Sequence, residues 1–233
     1  MTGNNLFHRY RYTYLLGAFV VLIVAVPVSK SLDHAQFATS VISLVFMLLV
    51  VLSGFVIAPT SRFRAGMAAM AIIAAALRLL ADIFSIDVLG VASYLLFVLI
   101  LGTVSTLTIR HLLTVQSVTI DTISAALCGY ATLVVLWAAA YSLLELCQPG
   151  AFHYLAAADA ASRMQFGSVQ SALPLYYSFV TITTLGYGDI VPSTDAARML
   201  AASEAFLGQV YLAVLIARLV AIHTVSGRPD ASH

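Results

Sequence analysis

Two glycines frame an aromatic in Thr184-Leu185-Gly186-Tyr187-Gly188, and a carboxylate, Asp189, comes next. Glycine takes left-handed backbone conformations without steric penalty. Alternating handedness along such a run turns successive carbonyls toward one side. Carbonyl oxygens aimed at a common axis can replace the water shell of a dehydrating cation, provided four copies surround that axis. A single copy would leave those carbonyls unsatisfied at membrane depth, a physical reason to expect an oligomer. The plain alternative for the stretch is a glycine-rich turn between two helices.

The elements around this run are those of a membrane protein. Of 233 residues, 61% are hydrophobic and 9% charged, against about 25% charged in an ordinary soluble domain. A bilayer core needs roughly 20 apolar residues as a helix. Six stretches qualify: Thr13 to Ser29, Phe37 to Ala58, Ala65 to Phe84, Val88 to Ile109, Ile123 to Leu146 and Ala196 to Ile222. The basic start before Leu15 to Val28 resembles a signal peptide, but Pro27-Val28-Ser29-Lys30 lacks a small-residue cleavage site, so a retained span is expected. Between the fifth and sixth stretches, residues 147–195 are too polar at first to span and too apolar later to be a plain loop. Leu173 to Thr183, LPLYYSFVTIT, is half a span long with Pro174 at its second position, where a helix tolerates proline best. A re-entrant helix fits.

Charge sets orientation rather than partners. The formal net charge of +1 gives no reason to expect nucleic acid. With the N-terminus cytoplasmic, Arg9, Arg11, Arg62, Arg64, Arg110 and Arg228 flank the inner side, and Lys30 and Arg163 the outer. Tyr10, Tyr12 and Tyr14 suit an aromatic belt. The semi-polar residues 110–122 read either as an interfacial linker or as an extension of the fourth helix. Cys128 and Cys147 are 19 residues apart on one stretch, about 28 Å along a helix, and are not expected to bridge.

TITTLGYGDI, residues 181–190, resembles the selectivity filter of potassium channels. The nine residues TITTLGYGD come after a half-length helix and precede an apolar span, and the likeness runs from about Ile123 to Ile222. The six-span layout is similar to the voltage-gated-like superfamily. The resemblance implies an all-α membrane protein with six transmembrane helices, a re-entrant pore helix and a filter loop, assembled as a homotetramer. It implies a four-helix unit at 1–109, a linker at 110–122, a pore domain at 123–222 and a short cytoplasmic tail at 223–233. Within the pore domain lie the pore helix 173–183, the filter 184–189 and the inner helix 195–222. Potassium sites would form at the Thr184 hydroxyl and the carbonyls of Thr184, Leu185, Gly186 and Tyr187. Gly188 would close the outer mouth and Asp189 concentrate cations there. Tyr176, Tyr177 and the Tyr187 ring would brace the filter. Some members carry a Glu where this chain has Val180, so any strut on Asp189 must come from elsewhere. Gly208 resembles a gating hinge, with a packing glycine as the alternative.

The fourth stretch has no arginine. Moving one charge through 100 mV yields about 2.3 kcal/mol, and steep voltage gating uses three or four per subunit. Arg78, with Asp82 one turn on, reads as a buried structural pair. Glu204 and Gln209 are polar groups within an apolar helix, Glu204 either backing the filter or facing the cavity; Arg198 and Arg218 are expected to snorkel to water. A channel-derived transporter would carry four filter repeats, and the sequence has one. A membrane enzyme would need converging groups, yet His8, His34, His111, His153, His223 and His233 show no metal-ligand spacing. The expectation is therefore a non-enzymatic, passive potassium channel of a cell membrane, both termini cytoplasmic, without a cofactor, from a prokaryote. A weakly selective monovalent cation channel is the alternative.

Overall fold

A computed structural model of the chain describes residues 12, 13, 16, 17, 20, 21, 60–84, 87–115, 117–155 and 173–226. Its elements are α1 (Ser61–Phe84), α2 (Asp87–Thr114), α3 (Ile120–Cys147), β1 (Phe152–Tyr154), α4 (Leu173–Ile182), β2 (Ile190–Pro192) and α5 (Asp195–Ser226). The second expected span, most of the first, and residues 156–172 lie outside the described set.

Three of the long helices start on a threonine. Thr60, Thr119 and Thr194 place side-chain oxygens on the amides of Phe63, Thr122 and Ala197, at 3.2 Å each. An N-terminal hydroxyl satisfies one of the first amides that the helix itself leaves unpaired. Acidic residues reinforce three starts, with Asp87, Asp121 and Asp195 in the first turns of α2, α3 and α5, where the helix dipole favours negative charge. The Thr119 cap also bounds the join between α2 and α3. Residues 110–114 complete α2 and residues 120–122 open α3, so 115–119 alone join them. Residues 110–114 thus continue α2, and the join is shorter than 110–122.

The expected all-α fold is modified by one small sheet. β1 and β2 pair antiparallel, Phe152 opposite Pro192, His153 opposite Val191 and Tyr154 opposite Ile190. Bonds from Leu155 N to Asp189 O, 2.8 Å, and from Ser193 N to Ala151 O, 2.8 Å, extend the ladder. Three-residue strands are too short to show alternation in sequence.

Among the described residues four helices are long and apolar enough to cross a membrane: 61–81, 87–114, 120–147 and 195–222. α2 lies between α1 and α3. Met67 packs with Ile100 and Val104 on one side, and Leu101 with Val135 and Ala139 on the other. A second core joins α3, α4, the sheet and α5 through Tyr141, Phe152, Tyr177, Ile190, Ala197 and Ala201. Its rings meet edge to face, with centroids 5.0 to 5.2 Å apart, the favoured aromatic geometry.

One expectation about a side chain changes. Tyr12 is buried, packs with Leu112, Ala125 and Ala126, and stacks on His111 at 5.8 Å; it is a core residue rather than part of a belt. Its amide and that of Thr13 donate to Asp121, at 3.0 and 3.4 Å. Arg78 lies over the Tyr94 ring, 5.4 Å from its centroid, a cation–π contact with α2. The Asp82 side chain lies outside the described set.

Candidate functional site

α4 is a ten-residue helix with Pro174 at its second position, and the strip directly after its C-terminus is the site. The amides of that strip fold back onto the helix's last carbonyls. Thr183 N bonds Phe179 O at 3.2 Å and Thr184 N bonds Thr181 O at 2.9 Å, while the single carbonyl of Val180 accepts Leu185 N at 3.0 Å and Gly186 N at 3.2 Å. The amides of Thr184, Leu185 and Gly186 are thus taken up by the helix end. Among the described residues, none of the carbonyls of Thr184, Leu185, Gly186 or Tyr187 accepts a backbone bond.

The backbone alternates as required. Thr184 has φ 59°, Gly186 60° and Gly188 75°, with no positive φ at Leu185 or Tyr187 between them. The glycines take this conformation freely. Thr184 does not; the left-handed region costs a non-glycine residue about 1–2 kcal/mol. The motif gives no backbone signal for that position, because a β-branched residue stands where a glycine would be the default. The Thr184 hydroxyl donates to Thr183 O at 2.6 Å, which leaves its lone pairs available, and the Thr183 hydroxyl donates to Phe179 O, also at 2.6 Å. Residues 183–188 are exposed on the single chain, Leu185 at 56% and Tyr187 at 67%.

At the C-terminal end of the strip, Asp189 is held from two directions. Tyr176 donates to Oδ2 at 2.8 Å, and the amide of Ile190 donates to Oδ1 at 3.0 Å. Tyr176 is therefore the strut that Val180 does not supply. Val180 is buried and supports the strip through its backbone carbonyl instead. Tyr177 turns the other way, into the aromatic core with Tyr141 and Phe152, and supports α4 rather than the strip. Glu145 carries no signal in the sequence. Its carboxylate accepts from Gly150 N at 2.7 Å and Phe152 N at 3.2 Å, which shapes the turn into β1 and so the ladder that carries Asp189.

The back of α4 is bound to α3 and α5. Tyr130 donates to Ile182 O at 3.1 Å, capping the helix end. A Cβ on Gly208 would stand 2.5 Å from the Ile182 side chain and 3.0 Å from its carbonyl. α5 runs unbroken through Gly208, which fits the packing alternative for that glycine. Glu204 is fully buried behind α4, where Tyr141 and Ser178 hold its carboxyl. It lies against α4, on the side away from the exposed strip. Arg198 is exposed and bonds Asp195 and Pro192 O, 3.4 Å each. Arg218 does not merely reach for water; it donates to Val115 O at 3.0 Å, just past the end of α2.

Free carbonyls in an alternating strip, a carboxylate at one end, and a helix whose negative C-terminal pole points into the strip form an arrangement suited to a cation stripped of water. Residues 129–224 match the family model described as "Ion channel". The chain is 34% identical over 70 residues to Two pore potassium channel a of Oryza sativa subsp. japonica, covering 30% of this chain and 20% of that protein. It is 48% identical over 44 residues to Two-pore potassium channel 1 of Arabidopsis thaliana, covering 19% and 12%. It is 39% identical over 72 residues to Two-pore potassium channel 4 of the same plant, covering 30% and 25%. The matched segments thus span a quarter or less of these relatives' lengths. No solved structure matches.

Proposed function

We propose that this chain is one subunit of a homotetrameric, potassium-selective channel that conducts passively through the backbone carbonyls of Thr184, Leu185, Gly186 and Tyr187. The observation that carries the reading is the alternation of φ at Thr184, Gly186 and Gly188, combined with carbonyls that no backbone amide among the described residues claims. Left in a membrane, one such strip would hold several unsatisfied carbonyls, each costing several kcal/mol. Four strips around an axis convert that penalty into ion ligands. Each α4 then aims about half a negative charge at the axis, Asp189 gathers cations at the mouth, and the exposed Tyr187 ring packs on the neighbouring subunit.

The match to the ion-channel model and the potassium-channel relatives point to a channel and not an enzyme. Together with four apolar helices they support a multi-pass membrane protein. The proposed orientation puts both termini on the cytoplasmic side. α2, the fourth expected span, carries Arg110 near its inner end and no arginine between 87 and 109, so we infer that the pore is not opened steeply by voltage.

The test is flux from liposomes containing the purified full chain, under a potassium and then a sodium gradient. Potassium flux well above sodium flux is expected. Equal fluxes would make it a weakly selective monovalent cation channel, and no flux of either ion would remove the channel reading.

A further inference from the structure

Behind α4, side chains from three helices meet in a fully buried site: Tyr141 of α3, Ser178 of α4 and Glu204 of α5 are each 0% exposed. Glu204 is held through both carboxyl oxygens, Oε2 by the Tyr141 hydroxyl and Oε1 by the Ser178 hydroxyl. The Ser178 oxygen also lies 2.8 Å from the carbonyl of Val134 on α3. A serine in a helix often bonds a carbonyl of its own preceding turn. Ser178 instead reaches across to a different helix.

Counting hydrogens decides the state of the carboxyl. Three oxygen–oxygen contacts need three hydrogens, and a carbonyl has none. The two hydroxyls bring one each. With Glu204 as a carboxylate, Ser178 could donate to Glu204 or to Val134 but not to both, and the remaining contact would oppose two lone pairs. A carboxylic acid supplies the third hydrogen. Tyr141 then donates to Oε2, the Oε1 hydroxyl donates to Ser178 Oγ, and Ser178 donates to Val134 O. The surroundings agree. Among the described residues the ionisable groups facing Glu204 are Tyr130 and Tyr141 from α3 and Tyr177 from α4, none of them a cation. On α5 itself, Arg198 is exposed and turned to Asp195 and Pro192. Burying an unpaired carboxylate is far more costly than burying its neutral form.

We propose that Glu204 is a proton-carrying carboxylic acid whose hydrogen-bond chain through Ser178 to Val134 positions α4 and, with it, the Thr184–Gly188 strip. The positioning role rests on the channel reading above; the proton assignment does not. Glu204 touches no ion and acts through α4. Removing its proton leaves a bare charge in the core and one contact without a hydrogen. The channel should therefore lose selective flux as the solution is made alkaline.

The first measurement is the infrared spectrum of the full chain in lipid vesicles, wild type minus Glu204→Gln. A protonated-carboxyl C=O band is expected at neutral pH and should vanish on alkaline titration. Its absence at neutral and mildly acidic pH would overturn the proposal. The second is potassium and sodium flux across pH. Glutamine can donate to Ser178 through its amide and accept from Tyr141 through its oxygen, so E204Q should keep wild-type selectivity and lose the alkaline sensitivity. E204L, which can do neither, should lower the potassium-to-sodium ratio about tenfold, the usual scale for leaving a buried hydrogen-bonding group unpaired. An E204Q protein as impaired as E204L, or one that retains the wild-type alkaline loss, would overturn it. Wild-type vesicles with the infrared band but no flux at any pH would overturn the channel reading and the positioning role, while the proton assignment would stand.

Discussion

The two sides of α4 are built on opposite rules. In front, residues 183–188 are exposed, their carbonyls take no backbone bond among the described residues, and Thr184 sits in a conformation that disfavours its side chain. Behind, Ser178 and Glu204 are fully buried, and each has hydrogen-bond partners. Free carbonyls would relax toward any donor if the segment were mobile. Rigidity therefore has to come from behind, through Tyr130 on Ile182 O, Gly208 against Ile182, and the Glu204 cluster. The contrast teaches that the exposed strip contributes free carbonyls but little of its own stability.

Changing the front alone gives the largest expected effect on transport. Gly186→Ala puts a Cβ where nothing lies within 4 Å, so there is no clash, yet φ of +60° strains it by about 1–2 kcal/mol. The alternation in the middle of the strip should break, and selective potassium flux should be abolished while thermal unfolding in detergent is little changed. A G186A protein that still passes potassium over sodium would show that the strip does not depend on this backbone geometry.

Changing the back should instead move stability and flux together. In Gly208→Ala the new methyl meets the Ile182 side chain at 2.5 Å and the Ile182 carbonyl at 3.0 Å. The side chain can turn aside, but the carbonyl belongs to a helix end fixed by Tyr130. Overpacking of this kind costs about 1–3 kcal/mol. The expected outcome is a lower unfolding midpoint with reduced flux; normal stability with lost flux would favour a hinge over a packing contact.

The front was far more legible in the sequence than the back, for a physical reason. Gly186 and Gly188 announce positive φ because glycine is the residue that takes it freely, and Pro174 marks a helix start. Apolar stretches of about 20 residues locate the long helices by length alone. The supports are pairings between distant residues: Tyr141 and Glu204 are 63 positions apart, Ser178 and Val134 44, and Tyr130 and Ile182 52. No local pattern encodes such meetings. Glu204 was visible as an oddity in an apolar helix, but its partners were ordinary residues in other helices. β1 and β2 escaped notice because three residues carry no periodicity, and Glu145 because a helix-end carboxylate looks the same whether or not it caps a turn.

Glu145→Gln tests the support that reaches Asp189 from a distance. The carboxylate accepts two amides, Gly150 and Phe152. An amide side chain has one acceptor oxygen, so one of these partly buried donors loses its partner at a cost of about 1–3 kcal/mol. The turn into β1 should loosen, and hydrogen exchange at Leu155 N, which bonds Asp189 O at 2.8 Å, should speed up. Unchanged exchange there would mean that the ladder holds Asp189 without help from the turn.

The smallest expected effect comes from Tyr176→Phe, which deletes a single hydroxyl where the two sides of α4 meet. Tyr176 is at the exposed margin, 36%, and its bond to Asp189 is 2.8 Å. Bonds to charged groups contribute about 1.5–3 kcal/mol when shielded, and solvent reduces that here. The second hold on Asp189, from the Ile190 amide, remains. A twofold to fivefold fall in the potassium-to-sodium flux ratio is therefore expected, about 0.4–1 kcal/mol, with no change in the unfolding midpoint. Asp189→Asn in the same background separates strut from charge. If the Tyr176 hydroxyl acts by fixing Asp189, Y176F should have no further effect on selectivity once Asp189 is replaced. A full additional loss in the double variant would mean that Tyr176 braces the strip by some contact other than Asp189.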